Sequence, residues 1–425
     1  MKNLLNPLES INFWNENPKI DLGYYRLRYN KSVIDSIGNK LIKVIIGQRR
    51  AGKSYLVRQL IHHLIFDKKI KKENVFYLNK EMYEFDDVRT ANDLAKLINA
   101  YENEYKPSGK VYIFIDEVQN IDDWEKVIVS LAQHTVKDYE VFITGSNSKL
   151  LSGELATLLS GRYITTEVFP FSYKEFLENS NLKNNKANFI EYITTSGLPE
   201  LLNLSSKDTK TNYFQSLKNT ILLKDIMYRY KIRDYVLLED LFLFVIHNVG
   251  SMISIPSIIK YFKNKNRKAD YSTISQYIQY MQDAFIIHEA PRYFFKTKEL
   301  LSGEKKYYVN DLGFRNYLYP SLVSDIGAVL ENIVFIHLRS AAYNIKIGYG
   351  RNYEIDFIAE RNSEQHYVQV AYVMANSVTI DKEFGAFDKV KDNLPKYVVT
   401  MDDILIKNEN GIIHKNIWNY IYDLS

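Results

Sequence analysis

The chain contains no cysteine among its 425 residues. Disulfides, thiolate zinc sites and cysteine nucleophiles are therefore excluded, and the composition suits a reducing compartment. No apolar run reaches the roughly 18 residues that a membrane-crossing helix needs. The segment Met1-Lys2-Asn3-Leu4-Leu5-Asn6-Pro7 lacks a signal-peptide hydrophobic core, so a cytoplasmic location is expected. Charge is also scarce in net terms, at only +4. No global field marks a nucleic-acid binder, and any basic patch must be local. What remains is an ordinary globular composition, 46% apolar and 25% charged. At this length two or three domains are expected.

Against that background one stretch stands out, Gly47-Gln48-Arg49-Arg50-Ala51-Gly52-Lys53-Ser54. It satisfies the phosphate-loop pattern G-x-x-x-x-G-K-[ST]. The β-rich apolar run Leu41 to Ile46 precedes it and predicts a buried strand. Tyr55 to Ile61 follows with apolar residues at helical spacing. Strand, loop and helix are what the chemistry requires. Glycines let backbone N–H groups converge on phosphate oxygens, and the helix N-terminus adds its positive dipole end. In this reading residues 47–54 cradle ATP, Lys53 reaches the β- and γ-phosphates, and the Ser54 hydroxyl ligates Mg²⁺.

A second element lies downstream. Val111-Tyr112-Ile113-Phe114-Ile115-Asp116-Glu117 is an apolar run ending in two acids. That is the pattern of a buried parallel strand with carboxylates at its C-terminal edge, where open α/β sheets bind ligands. Asp116 is expected to hold the Mg²⁺ shell and Glu117 to orient or deprotonate the attacking water. A third run, Glu140 to Ser148, ends in Ser146 and Asn147, placed to sense the γ-phosphate. From Ile42 to Phe169, β-rich and amphipathic segments alternate, which predicts a parallel sheet flanked by helices.

Beyond about Glu239 the pattern turns helical. Ile253 to Phe262 carries Pro256 where a first helical turn tolerates it. A basic link of Lys263, Lys265, Arg267 and Lys268 follows, then a helix over Ser272 to Met281, with Ser272 as its expected cap. Ile274, Tyr277, Ile278, Met281 and Phe285 share one stripe. Two helices, a short turn and a strand-like Phe285 to His288 resemble a winged helix-turn-helix. The last third reads as strand (Lys305 to Asp311), helix (Ala328 to Ala342, containing Glu331) and two strands (Tyr353 to Ala359, Tyr367 to Val373).

These segments together resemble a family of bacterial and archaeal AAA-type P-loop ATPases that carry a C-terminal domain of unknown function, number 4143. The marks are the loop Gly47 to Ser54, Ile115 to Gln119, Thr144 to Ser148, Leu159-Ser160-Gly161-Arg162, Phe169 to Ser172, Gly197-Leu198-Pro199-Glu200, Tyr308 to Gly313 and Glu354 to Phe357. The resemblance implies an α/β chain in three parts. Residues 1–203 would form the ATPase domain with an N-terminal extension. Residues 204–298 would form a helical, winged-helix domain, and residues 299–425 a restriction-endonuclease-like domain. It also implies that Gly197 and Pro199 touch the adenine. Arg162 would supply a guanidinium to the γ-phosphate from the same chain or from a neighbouring copy, which leaves a homo-oligomer open.

A nuclease of this fold needs an Asp on one strand, then an acid and a lysine on the next. Asp356 fits the first place and Glu331 adds a helix-borne carboxylate. The next strand reads Gln369-Val370-Ala371, and Ala371 neither activates water nor stabilises charge. A scaffold without nuclease chemistry is expected, unless a lysine from elsewhere, such as Lys346, fills the gap. The overall expectation is an Mg²⁺-dependent ATP hydrolase acting as a switch upon its C-terminal modules. The alternative is a DNA-binding or DNA-processing protein in which ATP is regulatory. It rests on Lys263, Lys265, Arg267 and Lys268 beside a candidate recognition helix. That helix's exposed face carries no Arg, so contact with an unidentified protein partner is the other reading of the same element.

Overall fold

The structure is a computed structural model describing residues 2–11, 20–151, 161–319, 325–351, 353–374, 377–406 and 411–425. Leu159 and Ser160, two of the motif residues, lie outside the described residues. The chain forms two compact units, Met1–Val168 and Phe169–Ser425.

The first unit is built on β1 (Ile42–Ile46), β2 (Val75–Asn79), β3 (Val111–Asp116), β4 (Tyr139–Gly145) and β5 (Tyr163–Glu167). They form one five-stranded sheet in the order β2-β3-β4-β1-β5, and every neighbouring pair is parallel. Four of the strands are buried nearly throughout, which is why they read as continuous apolar runs rather than alternating ones. Two of the charges inside or beside them are paired with one acid. Lys43 on β1 donates to Glu140 on β4, and Lys110 reaches the other Glu140 oxygen at 3.0 Å. Helices Lys53–His62, Ala91–Tyr105 and Trp124–Ala132 carry the chain between strands. Ala91–Tyr105 opens with a capping box of Thr90 and Asp93. Because the strands are parallel, Ile46, Asn79, Asp116, Gly145 and Glu167 all end at one edge.

The second unit holds an eight-stranded sheet, β13-β12-β11-β10-β9-β7-β8-β6. Its strands are β6 (Met252–Ile253), β7 (Ile287–Phe294), β8 (Glu299–Val309), β9 (Asn344–Tyr349), β10 (Glu354–Arg361), β11 (Glu364–Val370), β12 (Lys396–Thr400) and β13 (Ile412–Asn416). Helices Ile255–Asn264 and Tyr271–Asp283 precede the β7–β8 hairpin. The stripe Ile274, Tyr277, Ile278, Met281 and Phe285 is buried as its spacing predicts. The cap of the second helix differs from expectation. Asp270 accepts the Thr273 N–H, and Ser272 already lies inside the helix. An aspartate two residues earlier competes for the same free N–H groups and carries a charge suited to the helix dipole.

The division expected at residues 298/299 falls inside the β7–β8 hairpin. β7 also pairs in parallel with β9, so the expected second and third domains share one sheet. The first boundary lies at Val168 rather than near residue 203. No helix among the described residues is long and apolar enough to cross a membrane.

Candidate active site

The phosphate-loop sequence leaves the C-terminal end of β1 and enters helix Lys53–His62. Gly47 is obligatory there, because a Cβ at this position would stand 2.1 Å from the Val168 carbonyl oxygen. Gly52 takes φ +100° as the residue that caps the helix, a conformation costly for any side chain. Lys53 is buried, and its ammonium donates to the carbonyls of Gly47 (3.0 Å) and Gln48 (3.2 Å). Its Nζ also lies 3.4 Å from Glu117 Oε1. The lysine is thus folded back into the loop that it is expected to serve.

Asp116 closes β3 one strand away from β4, so the acids and the Ser146–Asn147 segment emerge beside the loop. Asp116 is fully buried and receives the hydroxyls of Thr144, Ser54 and Tyr77, the last at 3.3 Å. Burial, then the neighbouring Glu117 charge, pushes its pKa up; the hydroxyl partners only partly offset this. Glu117 behaves differently. Burial pushes it up as well, but Lys53, Arg49 and hydrogen bonds from Gln119 and Ser146 outweigh that and hold it below the usual carboxylate range. Ser146 Oγ donates to Glu117 Oε2 at 3.0 Å, and Gln119 Nε2 donates to the same oxygen. Glu117 sits at φ +55°, a left-handed backbone conformation that a non-glycine residue adopts at a cost. Two adjacent carboxylates thus have their pKa values driven apart.

The donor set fits a hard divalent cation. Asp116 is a buried carboxylate whose hydrogen-bond partners are hydroxyls, one of them Ser54, and oxygen donors of this kind suit Mg²⁺. Among the described residues no group of three or more His, Cys, Asp or Glu side chains is arranged to hold a metal. When bound, Mg²⁺ would supply charge neutralisation on the phosphates.

The other expected residues are placed as follows. Gln48 and Ala51 are buried in the loop, and Arg49 pairs with Glu81 at 2.6 Å. Arg50 takes φ +70°. Asn147 is buried, and its side-chain oxygen accepts the Lys149 N–H at 2.8 Å. Arg162 does not join the site within this chain. It is exposed and immediately precedes β5, whose first residue pairs with Ile42, while the loop follows Ile46. The parallel register puts Arg162 at the opposite sheet edge, about 15 Å away at ~3.3 Å per residue. Gly197 and Pro199 belong to the second unit. There the Gly197 N–H donates to Asp311 at 2.9 Å and its carbonyl accepts the Phe171 N–H. Both backbone groups are already engaged.

Three residues near the loop were not assigned a role from sequence. Arg26 is buried and donates to the Ala51 carbonyl at 3.0 Å. Thr144 binds Asp116 and also accepts the Glu117 N–H at 3.0 Å, so one hydroxyl orients both acids. Gln119 holds Glu117 from the turn that follows β3. For Thr144 and Gln119 the signal was position beside the acidic and polar strand ends. For Arg26 the sequence offers none.

A family model described as an AAA domain matches residues 39–177. An uncharacterized protein of Haemophilus influenzae is 34% identical over 381 residues, 88% of this chain and 92% of the relative. The chain belongs to the same family as that protein. A further member, an uncharacterized protein of Methanocaldococcus jannaschii, is 31% identical over 397 residues, 87% of this chain and 84% of its own length. A second model, a domain of unknown function (DUF8612), matches residues 186–325. Its number differs from the 4143 implied by the motifs, and the match ends before Glu331 and Asp356. Among solved structures, the Walker-type ATPase paby2304 of Pyrococcus abyssi aligns at 15% identity and TM-score 0.48, over 72% of this chain and 99% of that one. AMPPCP-bound DnaA of Aquifex aeolicus aligns at 17% and 0.32, over 64% and 92%. Likenesses this distant do not transfer a function to the AAA-domain chain.

Proposed function

We propose that the protein is an Mg²⁺-dependent ATP hydrolase in which nucleotide occupancy acts as a switch upon the second unit. The observation that supports this most directly is the convergence of Lys53, Ser54, Asp116 and Glu117 at one sheet edge. Lys53 and the loop N–H groups of residues 47–54 bind the phosphates. Ser54 and Asp116 hold Mg²⁺, and Glu117, kept ionised, accepts the proton of the attacking water. Glu117 is already gripped by Ser146 and Gln119, so an entering water would exchange with one of these donors. Asn147 is assigned to sensing the γ-phosphate. Arg162 acts only if a second copy presents it, and the adenine contact by Gly197 and Pro199 is left without support. The reaction fits a cytoplasmic protein. Phosphate release by the wild type, set beside Lys53→Ala and Glu117→Gln, tests the reading.

A second reading has its own observation. Lys263, Lys265 and Lys268 are exposed beside two helices and the hairpin, which we read as a winged helix, with Ser275, Gln276 and Gln279 facing away from the core. Arg267 is already tied to Asp240 at 3.1 Å, so three cations rather than four are offered to a phosphate backbone. Duplex DNA binding by this face would weaken steeply with salt and fall on neutralising the lysines. Equal binding after neutralisation would assign the face to a protein partner.

We also read the distal part of the second unit as a nuclease-like scaffold without cleavage chemistry. Glu331, Asp356 and Gln369 do come together. However, Gln369 Oε1 accepts the Asp356 N–H at 3.2 Å and its Nε2 donates to Glu383 at 2.8 Å, so its amide is committed to structure. Lys346 pairs with Glu360 at 2.8 Å; the lysine that reaches this place is Lys306, buried on β8, 2.9 Å from Glu331 and 3.9 Å from Asp356, so the scaffold reading rests on Ala371 and the committed Gln369 amide.

A further inference from the structure

Arg162 stands at the wrong edge of the first sheet, yet a guanidinium does overlook the acids. Arg49, the third residue of the loop, has its side chain only 11% exposed and pairs with Glu81 Oε1 at 2.6 Å. Arg50, beside it, is exposed. Glu81 follows the end of β2, in a turn tied down at two points. Its N–H donates to Asn79 Oδ1 at 2.9 Å, and the Lys80 N–H donates to the Asp116 carbonyl at 3.0 Å. The strand order β2-β3-β4-β1 leaves two strands between the partners. Three strand intervals of about 4.8 Å separate β1 from β2 by about 14 Å. The pair that joins the loop after β1 to the turn after β2 therefore passes over the ends of β3 and β4, where Asp116, Glu117, Ser146 and Asn147 emerge. The electrostatics agree. Burial pushes the Glu117 pKa up, and Lys53 and then Arg49 are the charges that bring it down.

We propose that Arg49 is the guanidinium this chain supplies to the γ-phosphate, and that Glu81 holds it across the mouth of the site until ATP takes it. The inference rests on the ATP hydrolase reading above and deepens it. Lys53 and Arg49 both act on Glu117, so both cations border the place where the attacking water and the γ-phosphate would meet. The Glu81 carboxylate marks where Arg49 accepts an anionic oxygen partner. A γ-phosphate offers more oxygens and more charge to the planar fork of an arginine. Glu81 is 40% exposed, and solvent weakens its hold on the guanidinium, so the phosphate wins the exchange. In hydrolysis the water oxygen bonds to the γ-phosphorus and a water proton passes to Glu117. The bond to the bridging oxygen breaks, and its electron pair leaves on ADP. Charge spread over the γ-phosphoryl oxygens during this transfer is what Arg49 stabilises. ADP lacks that group, so after phosphate release Arg49 returns to Glu81.

The test uses the full chain with Mg²⁺ and compares ADP with the non-hydrolysable β,γ-methylene analogue of ATP. Arg49→Ala should lower phosphate release by about 10³-fold or more and weaken the analogue, while ADP affinity is retained. Glu81→Gln frees the guanidinium. It should tighten the analogue by about two- to fivefold, the scale of one partly exposed ion pair, again without moving ADP. In Arg49→Ala/Glu81→Gln that gain should disappear. Full turnover by folded Arg49→Ala protein overturns the proposal. Equal weakening of ADP and analogue overturns it too, since that would make Arg49 a prop of the loop. A Glu81→Gln gain that survives in the double variant overturns the holding role. If Arg49→Ala does not fold, Arg49→Lys decides, because it keeps the charge and loses the fork: slower turnover with ADP affinity kept supports the proposal, and equal loss of both overturns it. The hydrolase reading fails differently. A wild type that binds no nucleotide, or turnover untouched by Lys53→Ala, defeats both; hydrolysis that needs Lys53 and ignores Arg49 defeats only this inference.

Discussion

The Lys53 ammonium lies 3.4 Å from the Glu117 carboxylate, so the two charged groups assigned above to phosphate binding and to the base are in contact. The lysine helps hold Glu117 ionised, and Glu117 helps hold the lysine inside the loop.

The first consequence concerns Lys53 itself. It is the loop's one lysine and, on the proposed reading, the charge aimed at the β- and γ-phosphates. Lys53→Ala should lower ATP turnover by about 10²–10³-fold or more, the scale of losing one preorganised donor, with the sheet intact. Circular dichroism beside phosphate release checks it. Normal turnover in folded Lys53→Ala protein would remove the site from residues 47–54.

Arg26 should matter through the loop. Its guanidinium donates to the Ala51 carbonyl from a buried position, and a hydrogen bond to a charged group contributes about 1.5–3 kcal/mol. Arg26→Ala should weaken ATP affinity by about tenfold while the catalytic rate at saturation changes little, because the residue positions the loop and does not touch the reacting atoms. Unchanged affinity in equilibrium titration would confine Arg26 to packing.

A third expectation is a pH effect in the second unit. His337 Nε2 accepts the Tyr173 N–H at 3.0 Å and Nδ1 donates to the Ile333 carbonyl at 2.8 Å, which fixes a neutral tautomer. Burial pushes its pKa down to about 4, and that of His288 to about 3. Both values lie below the unfolded value of 6.5, so the unfolded chain binds protons that the folded chain refuses. The stabilisation is complete above pH 6.5 and is lost as pH falls toward the folded pKa values, at about 1.4 kcal/mol per pH unit for each histidine. His337→Gln keeps an acceptor and a donor without titrating. Its stability relative to wild type should improve as pH drops from 6.5 to 4.5 in denaturant titrations. Parallel pH profiles would contradict the assignment.

The first sheet was legible because parallel buried strands must be apolar and their polar ends must share an edge. Gly47 to Ser54, Asp116 and Glu117 followed from pattern and position. Arg162 did not, since its distance from the loop depends on strand order: β5 lies beside β1 and presents its start, not its end. Lys306 was invisible for a related reason. Its partners Glu331, Glu354 and Asp356 lie 25 or more positions on, and only the register of β8 brings them together. The boundary at 298/299 failed because a hairpin turn and a domain linker are both short polar stretches, and only strand pairing separates them. Arg26 sits among tyrosines and leucines with no periodic signal, so its bond to Ala51 is a property of the fold alone.

The central claim is that Glu117 is the base while Asp116 and Ser54 serve the metal. Nucleotide affinity and turnover measured side by side on Glu117→Gln test it most directly. The substitution keeps the shape and removes the proton acceptor. ATP and Mg²⁺ binding should persist while hydrolysis slows by about 10²–10⁴-fold. Loss of binding in Glu117→Gln, with Asp116→Asn losing only turnover, would show the two acids in reversed roles and contradict the account.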